Sequence, residues 1–120
     1  MNFELSQEFF FESAHTLHRD IEAISSRRIH GHTYHAVVFV EGNKDDTTGM
    51  VVDLGVLKGA INKVRGELDH RFLDEVPDLG SPTLENLCAF LWRRFEIDFP
   101  TLKKITVRRK ASGDACSVTK

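Results

Sequence analysis

The stretch that decides the fold is residues 30–40, which read HGHTYHAVVFV. Its second half is rich in β-branched and aromatic side chains, a composition typical of a β-strand. Side chains two positions apart point to the same face of a strand, so we expect His30 and His32 to lie side by side. Alternation of apolar and polar residues over 2–15 predicts another strand, and His15 at its end would meet the other two histidines if the strands are neighbours.

These three histidines form a candidate metal site. Three imidazole ligands with no fourth protein ligand are typical of catalytic zinc sites, which keep one position for water or substrate. Gly31, between the pair, allows a ligand or another backbone segment to approach closely. A His-x-His pair alone is a weak signal, and the alternative is that the histidines are structural and bind nothing. His35 falls on the opposite face of the strand, so we interpret it as structural or interfacial.

Two helices follow the first two strands. Asp53 is a suitable N-cap for a helix whose apolar residues recur every three or four positions as far as Leu68. A second amphipathic helix begins at Thr83, and Pro100 ends it. Alternation over 103–109 predicts a third strand, and a turn leads into a last short strand.

The element order is therefore ββααββ, which predicts the α+β class with a four-stranded antiparallel sheet and two helices on one face. At 120 residues, the chain is expected to form one domain over 1–120. Such a sheet leaves both edge strands open, and open edges are normally covered or paired. We therefore expect a homo-oligomer.

Two segments are expected to be irregular. The polar stretch 16–28 is predicted to be a loop that passes the metal site. A slip in the alternation near residues 6–8 predicts a β-bulge in the first strand.

Composition excludes several classes of function. A formal net charge of −2 argues against a protein that binds nucleic acid through bulk charge. No apolar run approaches the roughly 20 residues of a membrane span. The N-terminus has no basic region followed by an apolar core, so no secretory signal is expected. Two cysteines do not form a disulfide framework, and this favours a cytoplasmic location.

Five motifs in order along the chain resemble those of the 6-pyruvoyl- and 6-carboxy-tetrahydropterin synthase family. They are the segments FESAH at 11–15, RIHGHTY at 28–34, VDL at 52–54, LDHRFL at 68–73 and PTLENL at 82–87. The resemblance implies the tunnelling fold (T-fold), in which ββααββ subunits join edge to edge into a trimeric barrel and two trimers stack as a hexamer.

The resemblance also implies site residues and chemistry. His15, His30 and His32 match the family's zinc ligands, and Asp69 and His70 match an Asp-His pair that transfers protons together with a cysteine. The substrate would be dihydroneopterin triphosphate, with zinc holding its side-chain oxygens while triphosphate is eliminated. The carboxy-forming branch also releases acetaldehyde and leads to queuosine. On residue types alone, the alternative for Asp69 and His70 is structural: His70 would be a histidine at a helix C-terminus, a position that the helix dipole favours for this residue.

Two departures from the family pattern concern the chemistry. Ser26 stands where the family has its cysteine, and a serine hydroxyl needs a partner base before it can act. Glu22 or Asp20 in the same loop are possible substitutes. Arg109 stands where the family has the Glu that anchors the pterin, and arginine offers only donors whereas that role requires an acceptor.

Further residues are candidates for binding the substrate. Arg28, with its neighbour Arg27 and with Lys110, suits an anionic substrate tail, although a solvated basic loop is an equal alternative. Thr83 and Glu85 open the second helix, where Leu84 replaces the family's frequent small hydroxyl residue. Asp114 and Glu85 are candidates for the missing ring anchor. The expected function is a zinc-dependent lyase with a pterin or another small anionic substrate; the alternative is a non-catalytic zinc-binding scaffold.

Overall fold

Four strands and two long helices follow one another in the predicted order. The computed structural model describes all residues, 1–120. Its strands are β1 (Phe3–His15), β2 (His30–Gly42), β3 (Leu102–Arg109) and β4 (Asp114–Thr119). Its helices are α1 (Ala23–Arg27), α2 (Leu54–Arg65) and α3 (Leu84–Glu96), and a 3-10 turn spans Leu73–Glu75. The prediction of an α+β fold with order ββααββ is confirmed. Helix α1 is an addition within the predicted loop 16–28, and the 3-10 turn is an addition between α2 and α3.

The sheet has the order β1-β2-β3-β4, and each neighbouring pair is antiparallel. The register of β1 against β2 is unbroken from Phe3 opposite Gly42 to His15 opposite His30. The bulge predicted near residues 6–8 is therefore wrong, because Gln7 continues the alternation that runs along β1. The register shift lies instead in β2, between Phe39 and Val40, where β2 pairs with β3.

The core lies between one face of the sheet and the two long helices. Phe11 and Tyr34 are fully buried and stack on each other with ring centroids 5.1 Å apart. Burial of a phenylalanine side chain such as Phe11 contributes about 1.5–3 kcal/mol. The helices supply the opposing apolar stripes, which include Leu57, Ile61, Val64, Leu87, Phe90, Leu91 and Phe95. Cys88 belongs to this core, and burial is the main cause that raises the pKa of its thiol to about 12.

The end of β1 that carries His15 is fixed by the segment 68–74, which runs along its outer edge. Ser13 donates its hydroxyl to the Leu68 carbonyl at 2.6 Å, and the Ala14 N–H donates to the Arg71 carbonyl at 3.1 Å. Thr16, just past the strand, donates its N–H to the Asp74 carboxylate at 2.9 Å. These bonds position the backbone on both sides of His15.

Both edges of the sheet are open to a further strand. The outer edge of β1, away from the end that carries His15, and the whole outer edge of β4 have no partner strand. The side chains of β4 alternate between exposed and half-buried along its length. Backbone groups at an open edge are available to pair with another strand. No helix has the length and apolar character that crossing a bilayer would require.

Candidate metal centre and its cavity

The three predicted histidines meet at one end of the sheet. His15 ends β1, and His30 and His32 open β2 on the same face. One ring nitrogen from each lies within 4.8 Å of the others, and the Nε2 atoms of His15 and His32 are 3.1 Å apart. The unbroken β1–β2 register produces this cluster, because it sets His15 directly opposite His30.

Backbone carbonyls orient two of the three rings. His15 Nδ1 donates to the Pro82 carbonyl at 3.0 Å, and His30 Nδ1 donates to the Arg28 carbonyl at 2.7 Å. A carbonyl only accepts, so each Nδ1 carries the proton and each Nε2 carries a lone pair. Hydrogen bonds of this kind fix the tautomer of metal-ligating histidines.

Burial favours the neutral form of two of the imidazoles. It is the main cause that lowers the pKa of His15, and it lowers the pKa of His32 to about 4, with His15, Arg109 and His30 adding repulsion. At neutral pH, two lone pairs would therefore face each other across 3.1 Å unless a proton or a cation lies between them. Three imidazoles with converging ring nitrogens fit a divalent metal such as zinc, with a position left for a small molecule.

A cavity of about 980 Å³ opens beside the triad. This volume is within the range of sites that hold small molecules. One wall comes from the loop and α1, and the other from the turn between β3 and β4. Besides the triad, the lining residues are Leu17, Arg19, Glu22, Ser25, Ser26, Leu84, Arg109, Ser112, Gly113, Asp114 and Ala115. The loop over 16–28 therefore passes the site, as predicted.

Arg109 lines this cavity. Its side chain is only 22% exposed, and its Nη2 donates to Asp114 Oδ2 at 2.9 Å. Ser112 donates its hydroxyl to the same oxygen at 2.8 Å. The Ser112 hydrogen bond, followed by the Arg109 charge, lowers the pKa of Asp114. A charged donor and a charged acceptor therefore lie together beside the triad.

A family model described as 6-pyruvoyl tetrahydropterin synthase matches residues 4–120. The chain belongs to this family. The 6-carboxy-5,6,7,8-tetrahydropterin synthase of Synechocystis sp. is 38% identical over 96 residues, which cover 75% of this chain and 72% of that protein. The dihydroneopterin monophosphate aldolase of Pyrococcus furiosus is 33% identical over 90 residues, with the same two coverages, 75% and 72%.

Solved structures of family members confirm the tunnelling fold. Caenorhabditis elegans 6-pyruvoyl tetrahydropterin synthase superposes with a TM-score of 0.87 at 24% identity, covering 100% of this chain and 96% of that one. A Plasmodium vivax 6-pyruvoyltetrahydropterin synthase, described as a mutant of a catalytic glutamate, superposes with a TM-score of 0.76 at 19% identity. That likeness covers 100% of this chain and 99% of the other.

Ser26, which the sequence comparison predicts to stand at the family's cysteine position, lines the triad's cavity and is buried. Its hydroxyl donates to the Ala23 carbonyl at 3.1 Å, so no base activates it. Glu22 lines the same cavity and has a φ of 54°, in the left-handed region that non-glycine residues rarely adopt. Asp20, the other carboxylate considered, lies outside the lining. Of the two substitutes for the family cysteine, the structure brings only Glu22 to the triad's cavity.

Asp69 and His70 lie outside the triad's cavity. The Asp69 carboxylate accepts from the Glu12 N–H at 2.9 Å and pairs with Arg65 at 3.2 Å. His70, with a φ of 56°, donates its backbone N–H to the Glu12 carbonyl at 2.7 Å. It lines a separate cavity of about 550 Å³, which shares His32 with the first. Within one chain, Asp69 and His70 therefore hold the backbone of β1 at Glu12. Their part in proton transfer stays a prediction.

The other predicted binding residues lie at the rim or beyond it. Arg28 contributes its carbonyl to His30, but its side chain lines a shallow depression beside α1. Thr83 is the N-cap of α3 and accepts from the Asn86 N–H at 3.1 Å. Neither Thr83 nor Glu85 lines the cavity, whereas Leu84 between them does. Their substrate contacts stay predictions, and of the two candidates for a ring anchor only Asp114 lies in the cavity.

Tyr34 is a site residue that sequence reasoning missed, although it follows His30 and His32 at the same two-residue spacing. Its ring centroid lies 5.7 Å from that of His32 and 6.5 Å from that of His15. The side chain is fully buried and its hydroxyl has no hydrogen-bond partner. Burial raises the pKa of Tyr34 to about 12, so the hydroxyl stays protonated.

Removal of this hydroxyl is expected to stabilise the free protein. A buried polar atom without a partner costs about 1–3 kcal/mol, so Tyr34→Phe should raise the free energy of unfolding by about 1 kcal/mol or more. Urea unfolding of the metal-free protein measures the change. A loss of stability would show that the hydroxyl has a partner in solution.

Proposed function

We propose that this protein is a zinc-dependent lyase that cleaves the side chain of a dihydropterin, with dihydroneopterin triphosphate as its substrate. The observation that carries the proposal is the triad of converging imidazoles beside a large cavity, in a chain of this family. Relatives named as a tetrahydropterin synthase and as a dihydroneopterin phosphate aldolase support the substrate class.

His15, His30 and His32 would hold the ion through their Nε2 atoms. When bound, such an ion polarises oxygen atoms of a substrate and stabilises negative charge that develops beside them. The cavity walls hold the substrate against this position and exclude part of the solvent. Arg19 at the rim offers a guanidinium to a phosphate group, for which its planar donors are suited.

Glu22 is the proposed general base at the triad's cavity. Its carboxylate is largely exposed, and its nearest charged partner, Arg19, is 3.7 Å away, so it is free to turn towards a substrate. The glutamate described as catalytic in the Plasmodium vivax protein supports a carboxylate in this role. Strained residues are often retained for function, and the left-handed backbone of Glu22 supports the same assignment.

An aldolase is the second candidate. The Pyrococcus furiosus relative carries that name, and this chain has no thiol at the triad's cavity. Retro-aldol cleavage needs a base that removes a hydroxyl proton. The carbon–carbon bond then breaks, a carbonyl forms on the leaving fragment, and the electron pair of the broken bond passes to the adjacent C=N of the dihydropterin ring. A carboxylate such as Glu22 is sufficient for this step. The products therefore decide between elimination of phosphate and loss of an aldehyde.

We further propose that His70 serves the cavity of a neighbouring copy. His70 lies along the outer edge of β1 at the end of the sheet where the triad is, and Asp114 and Ala115 line the cavity from the opposite edge, at the start of β4. Strands β1 and β4 run in opposite directions, so joining β1 of one copy to β4 of another extends the sheet as an antiparallel pair. This arrangement would place His70 beside the next cavity.

Mixing two inactive variants tests this arrangement. His32→Ala removes the metal site and His70→Ala removes the proton-transfer group contributed by the neighbouring copy, so each homo-oligomer is expected to be inactive. After unfolding and refolding together, mixed oligomers should regain up to about a quarter of the wild-type activity, because some interfaces combine an intact triad with an intact His70. Activity of the mixture equal to the sum of the separate variants would contradict a shared site.

The function itself is tested with zinc-loaded protein and two substrates, dihydroneopterin triphosphate and dihydroneopterin monophosphate. Mass spectrometry identifies the products, with the His32→Ala protein as the matched control. Formation of a tetrahydropterin with release of triphosphate supports the lyase, and a 6-hydroxymethyl pterin with an aldehyde supports the aldolase. Pterin binding without turnover would identify the non-catalytic alternative, and no binding would contradict both.

A further inference from the structure

We propose that Arg109 and Asp114 together recognise the lactam edge of the substrate ring, meaning the adjacent ring N–H and carbonyl oxygen. This inference rests on the proposed function, because it describes how a pterin would be held. It assigns the ring anchor to a donor–acceptor pair and not to a single carboxylate. The 2-amino group, on the other side of the ring N–H, would not be required.

The position of Arg109 places it in the site. The register of β2 against β3 sets His35 opposite Arg108, so continuing the pairing by one residue sets Tyr34 opposite Arg109. Tyr34 in turn follows His32 on the same face of β2. Arg109 and the three histidines line the same cavity. The strand register and the shared cavity therefore place Arg109 beside the triad.

The hydrogen bonds of Asp114 leave one oxygen free. Oδ2 accepts from Arg109 Nη2 and from the Ser112 hydroxyl, at 2.9 and 2.8 Å. These two donors occupy the two lone pairs of Oδ2. Oδ1 has no partner in the structure, and Asp114 lines the cavity. Asp114 thus presents a single accepting oxygen whose carboxylate is held in place by its neighbours.

Arg109 has N–H groups that make no hydrogen bond within the protein. Only Nη2 is paired with Asp114, and Nε is buried without any hydrogen-bond partner. An ion pair that merely closed the β3–β4 turn would not require a buried, unpaired N–H beside the triad. Buried polar atoms are normally satisfied, so the unpaired donor indicates that a ligand or water with an accepting oxygen completes this position.

The chemistry of the pair selects one edge of the ring. A lone carboxylate accepts two neighbouring donors, such as the ring N–H and the amino group of a pterin. Arg109 and Asp114 instead present a donor next to an acceptor. Asp114 Oδ1 accepts the ring N–H, and an Arg109 N–H donates to the ring carbonyl. Both bonds involve a charged protein group, which makes them the stronger kind of hydrogen bond.

Three ring systems with the same side chain test the inference by calorimetry on zinc-loaded protein. They are neopterin, its 2-oxo (lumazine) analogue and its 4-amino analogue, which lacks both the carbonyl and the ring N–H. We expect the first two to bind within about threefold of each other. The 4-amino analogue should bind roughly tenfold to a hundredfold more weakly, because both charged groups lose their partners.

Arg109→Gln and Asp114→Asn should each weaken neopterin binding by about tenfold or more and reduce discrimination against the 4-amino analogue. Arg108→Gln is the matched control, because Arg108 is the exposed neighbour on β3; it should change neither affinity nor discrimination. Equal binding of neopterin and its 4-amino analogue, or strong dependence on the 2-amino group, would overturn this inference alone. If none of the three ring systems binds, both this inference and the proposed function are contradicted.

Discussion

His32→Ala is expected to abolish zinc binding and to lower turnover of dihydroneopterin triphosphate by about a thousandfold or more. The triad offers only three ligands, so loss of one leaves two imidazoles and an exposed ion. Metal ions supply several kcal/mol of charge stabilisation in such sites, which corresponds to a rate effect of this size. Zinc content by mass spectrometry and initial rates measure the two effects.

Stability provides a second readout that does not depend on activity. A ligand that binds only the folded protein, at a hundred times its dissociation constant, stabilises it by about 2.7 kcal/mol. Zinc should therefore raise the melting temperature of the wild type and leave that of His32→Ala unchanged.

His35→Ala is the matched control, since His35 lies on the opposite face of β2 and pairs loosely with Glu8 at 3.6 Å. It should behave as the wild type. Equal zinc content in His32→Ala and the wild type would contradict the assigned ligands.

Glu22→Gln is expected to lower kcat by about a hundredfold or more while leaving zinc content unchanged. A positioned general base typically contributes factors of 10² to 10⁴, and the amide keeps the size of the side chain without its basicity. Ser26→Ala should change kcat by less than about threefold, because the Ser26 hydroxyl donates to the Ala23 carbonyl and has no base beside it.

Asp20→Asn is the matched control for Glu22, because Asp20 belongs to the same loop but does not line the cavity. It should leave kcat unchanged. If instead Glu22→Gln retains full activity and Ser26→Ala does not, the serine takes the place of the family's cysteine. Ser26→Cys then provides a further comparison, because it restores the thiol at that position.

The cluster of three histidines was predictable because a strand has a fixed period. The two-residue spacing of His30 and His32 determines that their rings share a face, and the alternation of β1 ending at His15 supplies the third ring. The same rule would have revealed Tyr34. The bulge predicted near residues 6–8 was wrong because Gln7, a polar residue, occupies a half-buried position on the inward face.

Residues outside regular strands were harder to place. The sequence could not show that Glu22 rather than Asp20 lines the cavity, because the left-handed backbone at Glu22 and the short helix α1 determine the direction of the loop. Nor could it show that Ser112 and Arg109 converge on one oxygen of Asp114, because that depends on the geometry of the β3–β4 turn. Asp69 and His70 were predictable as neighbours, but their hydrogen bonds to Glu12 were not.

The proposed site consists of three imidazoles that hold one metal ion, with a position left open towards the cavity. Anomalous diffraction at the zinc absorption edge, from crystals of the purified protein, would locate this ion. We expect a single peak at about 2.0–2.1 Å from a ring nitrogen of His15, His30 and His32, with a water or ligand oxygen completing the coordination. The absence of a peak between these rings, or a fourth protein ligand that closes the site, would contradict the proposed site.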